Sequence, residues 1–136
     1  MANIQKTNSE ISTFVEFLHN KREIESFHRD IYLITVDVAG LMFIDNIDDI
    51  FPKLEKGEYL QLFREKQNYY DEKAILVKFN GDKIGYVPRK HNNVLANLMD
   101  AGKELYGVIE KLAIEPAVYI GEDDYRIVEF KIFMKD

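Results

Sequence analysis

The dipeptide Asn80-Gly81 constrains the fold of this chain more than any other pair of neighbours. Both residues accept positive φ, which a type I′ turn requires at its two central positions, and the twist of that turn matches a β-hairpin. Apolar residues alternate on both sides of it, as Ile75, Val77 and Phe79 before and Ile84 and Tyr86 after. The pattern predicts two antiparallel strands, the first burying the face that carries its three apolar residues. Pro88 cannot donate to a sheet and marks the end of the second strand.

The remaining alternation predicts a mainly β (α+β) fold of six or seven short strands and two or three helices. Turn signals between these segments favour a small SH3/OB-like β-barrel, which avoids unpaired sheet edges. Further strands are predicted over Tyr32 to Ala39, Tyr59 to Arg64, Glu104 to Ile114, Ala117 to Ile120 as the start of a last hairpin, and Val128 to Met134 with Val128, Phe130, Ile132 and Met134 on the core side.

Two helices are predicted between strands. One begins within Asp45 to Phe51 and stops near Pro52. The other starts at Asn92 or Asn93 and is closed by Gly102. Its apolar stripe is predicted to hold Val94, Leu95, Leu98 and Met99.

A further helix is predicted near the N-terminus. The run Thr7-Asn8-Ser9-Glu10 has capping-box spacing, and apolar residues follow at helical intervals over residues 9–20. This helix either packs on the barrel or offers its apolar stripe to a partner or a second copy. We therefore divide the chain into residues 1–28, a helix and linker, and residues 29–136, the barrel.

The length and composition of the chain restrict the class of protein to which it can belong. The 136 residues suffice for one hydrophobic core and not for two. No apolar run approaches the roughly 18 residues of a membrane span, and the N-terminus lacks a signal-peptide pattern. The absence of cysteine excludes disulfides and thiolate metal sites. We expect a cytoplasmic protein without membrane attachment.

The charge is unevenly distributed. A net charge of −6 argues against a generic nucleic-acid-binding surface, which is usually basic. Residues 61–91, however, hold seven Lys or Arg and four Asp or Glu, which gives +3 and leaves −9 for the rest. A positive region on an acidic body suits a short contact with nucleic acid better than a long electrostatic groove.

The central stretch resembles the signature of the HIRAN domain. The resemblance is carried by Arg64-Glu65, Asn68, Tyr70-Asp71 and Ala74-Ile75, then by Ile84-Gly85-Tyr86-Val87-Pro88-Arg89, with Gly40 and Gly57 similarly placed upstream. It runs from about Ile31 to the C-terminus. It implies a small β-barrel of a kind often fused to DNA helicases and also found alone in bacteria. The best understood members bind single-stranded DNA at its free 3′ end.

The resemblance also implies a site. In members that bind DNA ends, residues at the positions of Asn68, Tyr70 and Asp71 line the pocket for the terminal nucleotide. A carboxylate such as Asp71 accepts the proton of a 3′-hydroxyl but repels the phosphate of a continuing strand, by about 4 kcal/mol at 4 Å and an effective dielectric near 20. From the residues alone, the same cluster also fits a polar loop in which Asn and Asp bond their own backbone.

Aromatic residues supply the predicted affinity. Phe43 fits a family position for an aromatic after the first strand and, with Tyr70, is a candidate for base stacking. Met42 stands where members can carry a basic residue, which removes one phosphate contact; alternatively, Met42 and Phe43 pack at the barrel mouth. Tyr86 either faces the terminal nucleotide or packs across strands. Tyr119 and Tyr125 are candidates for a second stacking ring.

Two basic residues complete the candidate site. Arg89 and Lys90 lie just before a predicted helix N-terminus, where charge and backbone donors can hold a phosphate. A solvated basic turn explains them equally well.

Catalytic motifs are missing from the sequence. The three histidines, His19, His28 and His91, lack metal-site spacing, and no nucleotide-binding or nucleophile motif occurs. We expect no cofactor and no metal. The predicted function is a non-catalytic module that recognises the 3′-hydroxyl end of single-stranded DNA, with any helicase or nuclease acting as a separate partner. The alternatives are a protein-interaction module on the same barrel and, third, a metal-dependent nuclease built on Asp71 and Glu72. The sequence does not indicate an oligomeric state.

Overall fold

The hairpin around Asn80-Gly81 forms as predicted. The structure is a computed structural model that describes residues 29–136. The two turn residues have φ of 49° and 88°, the positive values of a type I′ turn, and Phe79 pairs with Asp82 across it. Ile75, Val77 and Phe79 are all buried. The predicted turn and the predicted buried face of the first strand are therefore confirmed.

Six antiparallel strands make up the sheet in this part of the chain. They are β1 (Ile31–Asp37), β2 (Tyr59–Arg64), β3 (Ile75–Phe79), β4 (Asp82–Tyr86), β5 (Leu105–Glu115) and β6 (Tyr125–Met134). Their order in the sheet is β1-β6-β5-β2-β3-β4. The predicted mainly β class and the number of strands are confirmed. The predicted helix over residues 9–20 lies outside the described residues, and the division at residues 28 and 29 stays a prediction.

The sheet curls until its two edges meet at one point. Ala39, just after β1, donates its N–H to the Tyr86 carbonyl at 2.8 Å, and Tyr86 donates back to the Ala39 carbonyl at 2.9 Å. Gly85 permits this approach, because a Cβ at its position would lie 2.4 Å from the Ala39 oxygen. This bridge turns an open sheet into a half-barrel and fixes β4 beside the chain that leaves β1.

The core lies inside the curl. The side chains of Val128, Phe130 and Ile132 on β6 are fully buried, with Met134 partly buried against them, as the alternation predicts. The Phe130 ring lies over Gly107 of β5, where a Cβ would come within 2.7 Å of it. Glycine at this position therefore makes room for the largest of the fully buried side chains.

The predicted last hairpin is wrong in one respect. β5 continues to Glu115 and pairs directly with β6, so residues 116–124 are a connection and Ala117 to Ile120 form no strand. Pro116 has no N–H to extend the ladder. The connection is closed instead by the Asp124 carboxylate, which accepts the Ala117 N–H at 3.0 Å.

Both predicted inter-strand helices are present, as α1 (Ile47–Ile50) and α2 (Asn92–Asp100). A 3₁₀ turn, Phe51–Lys53, follows α1 and contains Pro52. The predicted stripe of α2 is wrong at Val94, which is 66% exposed. The buried positions are Asn92, Leu95 and Ala96, with Leu98 and Met99 partly buried. No helix in residues 29–136 is long and apolar enough to cross a bilayer.

Candidate nucleic-acid interface

The loop between β2 and β3 is shaped by the Asn68 side chain. Its Oδ1 accepts the backbone N–H groups of Tyr70 at 2.9 Å and Asp71 at 3.0 Å. Its Nδ2 donates to Glu65 Oε1 at 3.0 Å. An asparagine that bonds the backbone two and three residues on is a common turn device. Asn68 therefore builds the loop, as the polar-loop interpretation predicts, and thereby fixes the direction of the residues that follow.

This turn presents two aromatic rings to solvent. Tyr70 is 81% exposed and Tyr69 still more so, and their centroids lie 5.2 Å apart at an interplanar angle of 89°. Neither ring contributes to the core. Exposed aromatic rings on a fixed turn are what base stacking needs.

The Asp71 carboxylate is held from two sides. Oδ1 accepts the Lys73 N–H at 2.9 Å, and Oδ2 accepts Nδ2 of Asn92 at 2.7 Å. The Arg89 guanidinium is 3.7 Å from Oδ2. The side chain remains 19% exposed. Because each carboxylate oxygen has two lone pairs, the group keeps acceptor capacity toward solvent.

Asp71 is charged at neutral pH. Partial burial by itself would raise the pKa of its carboxyl group, but the bonds from Lys73 and Asn92 and the charges of Arg89 and Arg64 outweigh this and lower the pKa below its ordinary value. A permanent acceptor-only group therefore stands beside the exposed tyrosines.

Glu65 ties this loop to β4. Its Oε1 accepts the Tyr86 hydroxyl at 2.7 Å and, at the same time, the Asn68 amide. Desolvation opposes the charge of Glu65, yet these two bonds and the nearby Lys83 and Lys78 lower its pKa. Burial, and then the bond to Glu65, raise the pKa of Tyr86, so Tyr86 stays a neutral donor. Lys83 covers its ring, with Nζ 4.9 Å from the centroid.

Arg64 clamps both ends of the loop. It forms a bidentate pair with Asp100 of α2, at 2.9 and 3.1 Å, and donates to the carbonyls of Ala74 and Glu72 at 2.7 and 3.0 Å. Its side chain is largely buried. The arginine of the sequence signature is therefore a structural residue that joins β2, the loop and α2.

The basic pair lies at the start of α2. Arg89 donates to the Tyr70 carbonyl at 3.1 Å, yet its side chain is 75% exposed, so most of its donors face solvent. Lys90 is exposed beside it in the 3₁₀ turn Arg89–His91. Both can reach a phosphate without losing a core contact.

Phe43 is not among the residues that hydrogen bonds connect to the Asn68 loop. The 3₁₀ turn Leu41–Phe43 leaves Met42 and Phe43 largely exposed, so neither packs in the core. Together with Val118 and Tyr125 of the β5–β6 region they line a groove of about 700 Å³, whose lining includes no residue of the β2–β3 loop. Four carboxylates and one guanidinium also line it, those of Glu115, Glu122, Asp123, Asp124 and Arg126, so the lining is acidic on balance.

A family model, described as HIRAN domain, matches residues 31–122, which contain the Asn68 turn, Asp71 and Tyr86. This chain belongs to the HIRAN domain family. The HIRAN domain is a nucleic-acid-binding module, and HIRAN domains are generally non-catalytic.

Two solved structures resemble this HIRAN domain. A crystal structure of a protein from Lactobacillus plantarum is 30% identical in sequence, with a TM-score of 0.61, and the match covers 77% of this chain and 97% of that one. The HIRAN domain of human HLTF is 20% identical, with a TM-score of 0.52 and coverage of 79% and 81%. No curated protein matches the sequence.

Within this HIRAN domain, hydrogen bonds and ion pairs connect most of the predicted site. The connected residues are Asn68, Tyr70, Asp71, Tyr86 and Arg89. Lys90 adjoins them in sequence, and Phe43 lies in the groove described above. Among residues 29–136, no group of His, Asp or Glu is arranged to hold a metal ion.

Two connecting residues were not predicted as part of the site. Glu65 belongs to the HIRAN-like signature, but the link from its carboxylate to Tyr86 depends on the fold. The sequence predicts Asn92 only as a helix start. A polar residue in that position carries no sequence signal that its amide points inward to Asp71.

Proposed function

We propose that this HIRAN domain binds the 3′-hydroxyl end of single-stranded DNA through the cluster of Asn68, Tyr70, Asp71, Tyr86 and Arg89, with Lys90 beside it. The observation that supports this most is the Asp71 carboxylate, which is charged, fixed by two hydrogen bonds and still open to solvent beside an exposed ring. Any enzymatic step then belongs to a partner, a helicase or nuclease acting on the same DNA.

Selection of an end follows from the chemistry of Asp71. A terminal 3′-hydroxyl has a proton to donate to one of the remaining lone pairs. A 3′-phosphate, or a strand that continues, brings a negative charge to the same position. Repulsion of about 4 kcal/mol at 4 Å and an effective dielectric near 20 is the upper scale of this penalty. Arg89, 3.7 Å away, reduces it and offers its exposed donors to the next phosphate inward.

Stacking supplies affinity that does not depend on sequence. The exposed ring of Tyr70 takes one base, and we assign a second base to Phe43. Each stacked base contributes about 1–3 kcal/mol. The acidic lining of the groove beside Phe43 disfavours phosphates there, so we expect the contact to be short.

The deciding experiment compares three forms of one oligonucleotide. A short single strand with a 3′-hydroxyl, the same strand with a 3′-phosphate and a circular strand are titrated by fluorescence anisotropy. We expect the 3′-hydroxyl form to bind at least tenfold more tightly than the other two. Equal binding of all three would contradict end recognition and leave only a general affinity for single strands.

A second candidate function is a protein-interaction module on the same barrel. It is favoured by the groove between the Leu41–Phe43 turn and the β5–β6 region, where exposed apolar side chains and carboxylates lie together. A failure of all three oligonucleotides to bind would favour this second function.

A further inference from the structure

We propose that Asn92 is the positioning residue that sets the selectivity of this site for a 3′-hydroxyl over a 3′-phosphate. The inference rests on the proposed function. Asn92 itself does not reach the DNA in this proposal. It acts through Asp71, by holding one carboxylate oxygen in place.

The burial of the Asn92 side chain is the first observation that supports this proposal. Asn92 is 4% exposed and is the most deeply buried polar residue in residues 29–136. A buried amide costs free energy unless it is hydrogen-bonded, so its partner is a strong constraint on the packing. That partner is Asp71, whose Oδ2 accepts from Nδ2 at 2.7 Å across 21 residues of sequence.

The helix offers no competing role for this amide. Asn92 is the first residue within α2 and follows the N-cap residue His91, and no side chain caps this helix. Its side chain points into the fold instead. The start of α2 thus serves to deliver a donor to the loop between β2 and β3.

The geometry around Asp71 explains why this donor matters for selectivity. Lys73 N–H holds Oδ1 and Asn92 holds Oδ2, so the carboxylate cannot rotate about its χ2 bond without breaking one of them. Without Asn92, Oδ2 is free to close the 3.7 Å gap to Arg89. A tighter pair with Arg89 would cancel the charge that repels a phosphate and occupy the lone pair that accepts the hydroxyl proton.

The test measures two dissociation constants in each variant. Asn92→Ala is compared with Asn93→Ala, the neighbouring exposed asparagine on the same helix. The ratio of affinities for the 3′-hydroxyl and 3′-phosphate oligonucleotides should fall about fivefold or more in Asn92→Ala, the scale of one hydrogen bond. It should be unchanged in Asn93→Ala. A carboxyl-carbon NMR titration of Asp71 should change in Asn92→Ala, where Arg89 replaces the amide as the partner of Oδ2, and stay unchanged in Asn93→Ala.

A second variant separates a loss of selectivity from a loss of the fold. Asn92→Leu keeps the approximate size of the side chain and removes the donor without adding a charge beside Asp71. It should also lose selectivity, while circular dichroism reports the fold of each variant. If both variants weaken the two oligonucleotides equally and keep their ratio, Asn92 is merely structural and the inference is wrong.

The outcome also separates this inference from the proposed function. If the unsubstituted protein does not distinguish the two ends, the proposed function fails, and this inference fails with it. If the unsubstituted protein distinguishes them and Asn92→Ala does so equally well, only the inference fails.

Discussion

Asn68 shows how one residue can satisfy two interpretations. The polar-loop interpretation holds that Asn and Asp bond their own backbone, and both Asn68 and Asp71 do so. Those same bonds aim the Tyr70 ring outward and leave one edge of the carboxylate open. A local turn rule can be read from sequence, but the second partner of Asp71, Asn92, comes from a different element.

Asp71 should make stability depend on pH in the acid range. Its pKa is lower in the folded protein than in the unfolded chain, so its contribution is fully present above about pH 4 and is lost as pH falls through the folded value. Asp71→Asn turns an amide donor toward Asn92 or Lys73 and should cost about 1–2 kcal/mol at pH 7. Urea denaturation at pH 7 and in acid should show this difference shrinking as pH falls.

The exposed Asp45 provides the control for that experiment. Asp45→Asn should leave stability nearly unchanged at both pH values. A difference for Asp71→Asn that stays constant, or grows, as pH falls would mean that the charged carboxylate does not stabilise this loop.

At the level of elements, local patterns predict much of the fold and packing decides the rest. The Asn80-Gly81 hairpin and the bounds of β2 follow from turn chemistry and alternation. The buried face of α2 does not follow from these local patterns, because the pattern of apolar residues assigns Asn92 to the surface. Burying its amide against Asp71 rotates the helix so that Leu95 and Ala96 point inward and Val94 points out.

The bridge between Ala39 and Tyr86 is likewise invisible to local rules, because it joins residues 47 apart in sequence. It depends on Gly85, whose φ is 151° and whose missing Cβ would lie 2.4 Å from the Ala39 carbonyl oxygen. Gly85→Ala should therefore cost about 3 kcal/mol or more, from backbone strain and from the displaced bridge. Chemical denaturation measures the loss.

Gly102 is the matched control for this substitution. It also has a positive φ, 99°, but nothing lies within 4 Å of a Cβ placed there. Gly102→Ala carries the strain alone and should cost about 1–2 kcal/mol. An equal loss at both positions would show that the close approach of Gly85 to Ala39 does not contribute.

At the scale of the whole molecule, the fold decides which cations of residues 61–91 face solvent and which contact the protein. Lys78 and Lys83 lie over the rings of Phe63 and Tyr86, at 5.1 and 4.9 Å, and Lys73 donates to Asn97 at 2.8 Å. These lysines are engaged with the protein, and Lys66, whose side chain is 65% exposed, is paired with Asp100 at 3.7 Å. Arg89 and Lys90 are exposed beside the Asp71 cluster. The sequence predicts the charge excess of residues 61–91, but the number of its cations that face outward near the site depends on the fold.

Two outward cations imply a shallow dependence of binding on salt. Neutralising Z phosphates of a single strand gives a slope of log K against log salt of about −0.7Z, so contacts by Arg89 and Lys90 predict about −1.4. Arg89→Gln and Lys90→Gln should each reduce the slope by about 0.7, whereas Lys111→Gln, an exposed lysine on β5, should not change it. A slope several times steeper would place the DNA along a longer basic path. A slope near zero with binding intact would mean that stacking alone holds the strand, and the proposed role of the basic pair would be wrong.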